Sequence, residues 1–104
     1  MQKRDAGTTA LPRVDLHGAF IRYTDLSNAV LRDGDLSNAD LTGARLHNSD
    51  FEGTRLDGAI LNGADLTGAR NLTVAQLASA IIDEHTRLPA YIDRAKLRAA
   101  GASP

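Results

Sequence analysis

Asp35-Leu36-Ser37-Asn38-Ala39-Asp40-Leu41-Thr42-Gly43-Ala44-Arg45-Leu46-His47-Asn48-Ser49 places a large apolar residue at every fifth position, at Leu36, Leu41 and Leu46. Read outward, the same phase holds back through Leu31, Leu26, Ile21 and Leu16, and on through Phe51, Leu56, Leu61 and Leu66. Leu11 extends the series by one more step. An α-helix repeats every 3.6 residues and a half-buried strand every 2. A strict period of five would spiral round a helix and flip faces on a strand. What remains is a solenoid of short straight segments that turn corners and stack.

The flanking positions fit that architecture. Two residues before each centre the side chain is small or short: Val14, Ala19, Thr24, Ala29, Gly34, Ala39, Ala44, Ser49, Thr54, Ala59 and Ala64. This marks a second inward seat with little room. Two residues after each centre, nine of eleven positions are Gly or Asn, residues that tolerate positive φ, so these are the corners. The residue just before the centre is Asp at 15, 25, 35, 40, 50 and 65 and is expected to point outward to water.

The pattern Ala-Asp-Leu-x-Gly/Asn is plainest in Asn38-Ala39-Asp40-Leu41-Thr42 and Gly63-Ala64-Asp65-Leu66-Thr67. Over roughly residues 9–72 the chain resembles the pentapeptide-repeat family. The resemblance implies an all-β fold, a right-handed quadrilateral β-helix with one pentapeptide per face and twenty residues per coil. Just under three coils follow, about 15 Å tall at a strand spacing of about 4.8 Å. Residues 11–72 form this β-helix, residues 1–10 a flexible N-terminal segment, and residues 73–104 a helical cap and tail.

A chain of 104 residues allows one domain. Without cysteine there is neither a disulfide framework nor a thiolate metal site. The first residues lack the apolar core of a signal peptide, and no stretch approaches a membrane span, so a cytoplasmic location is expected. The net charge of −1 hides an asymmetry. Residues 14–72 hold nine acids and five arginines, whereas both ends are mildly basic. Neither imbalance has the strongly basic footprint of direct nucleic-acid binding.

The period breaks near Leu72. Thr73 and Gln76 have capping-box spacing, and Leu72 and Leu77 that of a hydrophobic staple. With Val74, Ala78 and Ile81 adding an apolar face, a helix is predicted over 74–84, sealing the last coil. Segment 72–89 also resembles the C-terminal tail of bacterial family members. A second helix is predicted from Pro89 to about Ala100, with Tyr91, Ile92, Ala95 and Ala99 on its apolar side and Arg94, Lys96 and Arg98 suiting its C-terminal half.

Stacking at twenty residues sets Asp25, Arg45 and Asp65 in one column, Asp50 under Arg70, Asp35 under Arg55, and like charges at Asp15 and Asp35. Phe20 and Ile60 share a column with Asp40 between them; Tyr23 lies at the same face's corner and Val30 on the next face. These four outward apolar residues are the candidate interaction surface. The bland alternative is that the N-terminal segment covers them. His17 and His47 fall on opposite faces and His85 lies beyond the first helix, so the histidines do not converge as zinc requires. No phosphate-binding or nucleophile motif is present. The expectation is a non-enzymatic protein-interaction module without cofactor or metal, its partner unidentified, with a homodimer through an end of the stack as a further possibility. The alternative is a mimic of duplex DNA that binds gyrase or a related topoisomerase, a role the resemblance suggests. Short length and interspersed arginines weigh against it.

Overall fold

Each five-residue unit contains one tight turn. In the computed structural model, which describes residues 13–101, the N–H three residues after the centre donates to the centre's carbonyl at every centre from Leu16 to Leu66 except Ile21, as in Ala19 to Leu16 at 3.0 Å and Ala44 to Leu41 at 2.9 Å. Positive φ falls at every corner from Gly18 to Gly68, while the residue before each corner keeps negative φ. That combination is a type II turn, which explains the Gly and Asn preference. Two corners depart from it: Tyr23 and Asp33 are held at φ of 60° and 57°.

Between corners, each straight segment bonds to the next circuit. Leu16 N–H donates to the Asp35 carbonyl and Asp35 N–H to that of Val14, both at 2.8 Å, and the pattern repeats up the stack. Eight parallel bridges, from Asp15↔Asp35 to Asp50↔Arg70, join residues twenty apart. They are isolated bridges, and no longer strand occurs among the described residues. A segment this short between corners has room for only one bridging residue. The expectation of a flexible segment at residues 1–10 lies outside the described residues.

The interior is filled by the two inward positions of each unit. Leu36, Leu41, Leu46, Phe51, Leu56, Leu61 and Leu66 are buried, with Ala39, Ala44, Ala59 and Ala64 in the small seats. Ser49 and Thr54 also occupy small seats. Their hydroxyls donate to the Leu26 and Leu31 carbonyls one circuit below, at 2.8 and 2.6 Å, so neither is buried unpaired. Burial is graded along the stack: Leu16, Ile21 and Leu26 are only partly covered, and the core closes from Leu31 onward.

The C-terminal segment departs from the sequence reading. The first helix, α1, spans Val74–Ser79 and does not continue to residue 84. Ile81, expected on its apolar face, instead bridges Ile60 in parallel, and Arg87 bridges Asp65. The cause is hydrogen-bond demand. The uppermost full circuit presents carbonyls at Ala59 and Ala64 and N–H groups at Leu61 and Leu66. Ile81 and Arg87 satisfy all four at 2.7–2.9 Å, and leaving such groups unpaired against a core is costly. Inward seats therefore resume after α1: Ile82 is buried and Ile81 turns outward. Leu72, Leu77 and Ile82 continue the period of five after a slip of one residue past Leu66. α1 replaces one face of this fourth circuit.

The Thr73–Gln76 capping box is present on both sides, the Gln76 N–H donating to the Thr73 hydroxyl and the Thr73 N–H to the Gln76 side chain. The Gln76 amide nitrogen also donates to the Phe51 and Thr54 carbonyls at 2.8 and 2.9 Å. A second helix, α2, spans Arg94–Ala99, starting later than Pro89 because the Asp93 side chain caps the Ala95 N–H. Tyr91 and Ile92 thus precede it. The buried residue of α2 is Leu97, not Ala95 or Ala99, which are exposed. Tyr91 accepts from the Leu72 N–H at 3.1 Å and donates to the Ala69 carbonyl at 2.5 Å.

Candidate interaction surface

The outward position before each centre builds the walls. Not every aspartate there faces water as expected: Asp40 and Asp50 are buried, covered by Arg22, Arg32 and Asn71. The aspartate Oδ1 accepts the backbone N–H two residues on, tying the segment to its corner. Asp15, Asp25, Asp35, Asp40, Asp50 and Asp65 all do this. Serine and threonine hydroxyls add a second donor to Asp35, Asp40 and Asp65. These bonds hold the carboxyls below the ordinary aspartate range. For Asp15, Asp25, Asp35 and Asp40 the main cause is the donor side chain two residues on, and for Asp50 it is the Asn71 amide. At Asp65, burial pushes upward, but Thr67 and His47 outweigh it and hold the group at about 2.

The columns expected from stacking are the bridged ones, including Asp25–Arg45–Asp65 and Phe20–Asp40–Ile60. Three of the four ion pairs between circuits, however, run diagonally, to a residue eighteen positions on. Arg22 Nε donates to Asp40 at 2.7 Å, Arg32 reaches Asp50 at 3.2 Å and Glu52 at 2.7 Å, and His47 Nε2 stands 2.7 Å from Asp65 Oδ2. A corner side chain leans back over the wall of the next circuit. Among the described residues, Arg32–Glu52 is the one ion pair that runs within a column. Sequence stacking gave the column but not the lean of the side chain.

Phe20 and Tyr23 are each 74% exposed and Val30 52%. The Arg22 guanidinium lies 4.9 Å from the centre of the Phe20 ring while its Nε is held by Asp40. The Tyr23 ring lies over the next corner in its column, so closely that a Cβ added at Gly43 would meet it at 2.4 Å. Val30 bridges Asp50 on the following face. Ile60 is half-buried two circuits above Phe20, with Ile81 bridged to it from above. Phe20, Tyr23 and Val30 therefore share the first circuit, and Ile60 stands apart from them. Ile81, 41% exposed, joins that column unforeseen. The Ala80-Ile81-Ile82 step, in phase with Leu72 and Leu77, was the available signal.

A wall of this kind, rising around a filled core, defines a solenoid of five-residue repeats. The pentapeptide-repeat model matches residues 11–48 and 35–70, eight copies in all. The chain belongs to the pentapeptide-repeat family. Among solved structures it is similar to the pentapeptide-repeat protein Rfr23 of the cyanobacterium Cyanothece 51142, with 32% identity and a TM-score of 0.65. That match covers 75% of this chain and 52% of Rfr23, so the chain spans about half of that protein's length. It is also similar to alr5209 of Nostoc Pcc 7120, at 32% identity over 88% of this chain and 84% of that one, with a TM-score of 0.32. A third is AT2G44920 of the Arabidopsis thaliana thylakoid lumen, at 20% identity over 86% and 57% of the two chains, with a TM-score of 0.29. No curated protein matches. The family and the likeness to Rfr23 imply a right-handed β-helix. Among the described residues, no helix is long and apolar enough to cross a membrane.

Proposed function

We propose that the chain is a non-enzymatic scaffold: a quadrilateral β-helix of about three coils, closed at one end by α1 and α2, that docks another protein on its first-coil wall. The observation that carries this reading is the exposure of Phe20 and Tyr23. The chain has four aromatic residues. Phe51 fills the core and the Tyr91 hydroxyl bonds to the backbone, but Phe20 and Tyr23 stand outward three residues apart. Aromatic and arginine side chains dominate binding energy at protein interfaces, and Arg22 lies between these two. Tyr23 moreover occupies a left-handed corner that glycine or asparagine would fill with less strain. The wall carboxylates are committed to corners and diagonal pairs, an arrangement for shape rather than for proton transfer. A DNA-mimic reading has less support, because arginines interrupt the acidic walls at residues 22, 32, 45, 55 and 70.

The test is affinity capture from native-host lysate with the wild type and a Phe20→Asp/Tyr23→Asp variant. One stoichiometric partner, retained by the wild type and lost by the folded variant, is the expected result. A partner held equally by both would overturn the assignment of this wall. A captured topoisomerase, with inhibition of supercoiling, would replace the scaffold reading by the mimic.

A further inference from the structure

Six rungs of the bridge ladder have a charged residue on both sides. Five join aspartate to arginine: 25–45, 35–55, 45–65, 50–70 and 65–87. The sixth, Asp15↔Asp35, joins two acids. Directly opposed like charges on neighbouring segments are destabilising, so this rung alone lacks the counter-charge that the others carry. Beside it, at the corner of the first circuit, stands His17. Ligand-capable atoms of Asp15, His17 and Asp35 all lie within 4.8 Å of one another.

The groups are placed by backbone bonds that need no ligand. The two segments are locked in register by the Leu16–Asp35 and Asp35–Val14 hydrogen bonds. Asp15 Oδ1 accepts the His17 N–H and lies 2.7 Å from His17 Nδ1; Asp35 Oδ1 accepts the Ser37 N–H and hydroxyl. The second oxygen of each carboxylate has no hydrogen bond among the described residues.

We propose that Asp15, His17 and Asp35 form a surface site for a divalent transition ion of the zinc class, with water filling the other positions. One imidazole nitrogen and two carboxylate oxygens suit such a borderline ion at about 2.0–2.2 Å. Magnesium has no preference for imidazole and gives up its water reluctantly. Small side-chain rotations bring the three atoms onto one ion. The ion supplies the positive charge that arginine supplies on the other charged rungs, and it clamps the first circuit to the second. The other histidines lack this setting: His47 faces Asp65 in a column that already holds Arg45, and His85 has only Glu84, at 3.6 Å.

Amide NMR spectra of the full chain, titrated with zinc chloride and separately with magnesium chloride, test the site in the wild type and in His17→Gln, Asp35→Asn and His85→Gln variants. Zinc should shift residues 15–17 and 35–37 saturably at one ion per chain, and magnesium should not. His17→Gln and Asp35→Asn should weaken this roughly tenfold or more, and His85→Gln should leave it unchanged. Metal-free spectra matching the wild type establish that each variant is folded; should Asp35→Asn not fold, His17→Gln decides alone. Shifts centred on His47 or His85, shifts undiminished in His17→Gln, or no response at millimolar zinc would each overturn the proposal.

Discussion

At the corners, backbone conformation and side-chain identity are in tension at only a few positions, and those positions are informative. Gly63 has φ of 67°, and a Cβ there would meet nothing closer than 4.0 Å. Gly63→Ala should therefore cost about 1 kcal/mol, the left-handed penalty alone, measured as a shift in denaturant midpoint. Tyr23 bears the same penalty in the native chain. Tyr23→Asn should stabilise the fold by about 1 kcal/mol while weakening capture of a partner, and a stabilised variant that captures as well as the wild type would separate the corner from the proposed docking role. Much of this was legible in the sequence, because Gly and Asn at fixed intervals have few other causes. The second role of aspartate was not. Whether a carboxylate faces water or turns back to an N–H two residues away depends on corner geometry, which the spacing implies only once the turn type is known.

Among elements, α1 shows how local signals and ladder demand divide the chain. The capping box made the helix start readable, and the staple residues Leu72 and Leu77 are both buried. The helix end was not readable from propensity, because Ala80, Ile81 and Ile82 suit a helix well enough; the unpaired carbonyls and N–H groups of the circuit below pull them into bridges. Gln76 joins the two regimes. Gln76→Ala should destabilise by about 2 kcal/mol, from the lost cap and the Thr54 carbonyl left unpaired, the Phe51 carbonyl keeping the Thr54 N–H. Gln76→Glu keeps an acceptor for the Thr73 N–H but cannot donate to the Phe51 and Thr54 carbonyls when ionised, so it should be nearly as damaging at neutral pH and recover as the carboxyl protonates. Thermal melts of both variants across pH check this. Core truncations should follow the burial gradient: Phe51→Ala should cost about 3–5 kcal/mol, and Leu16→Ala, partly solvated already, clearly less.

For the molecule as a whole, the walls predict an acid limit. Asp15, Asp25, Asp35, Asp40, Asp50, Asp65 and Asp83 all have carboxyls depressed in the folded state. A depressed group stabilises the fold fully above its unfolded value, near 3.8 here, and loses that contribution as pH falls toward its folded value. The aspartates add no slope above about pH 5, and stability measured by denaturant midpoints should fall steeply between about pH 4 and 2. Asp65→Asn, at the group held near 2, should flatten part of that slope. The architecture was visible in the sequence because one period governs every full circuit. The slip before Leu72 and the burial of Leu97 were hidden by the same fact, since a reader following one phase stops where it shifts. The twenty-residue register has a further consequence for inheritance. Removing residues 41–60 rejoins Asp40 to Leu61 with every later side chain facing as before, so a shorter chain should fold, whereas removing 41–59 should not. Height is thus a quantity that can change by whole storeys through duplication or loss of a short stretch of gene. Each added storey can carry a second copy of whatever a partner grips, so valency can grow without a new fold being invented.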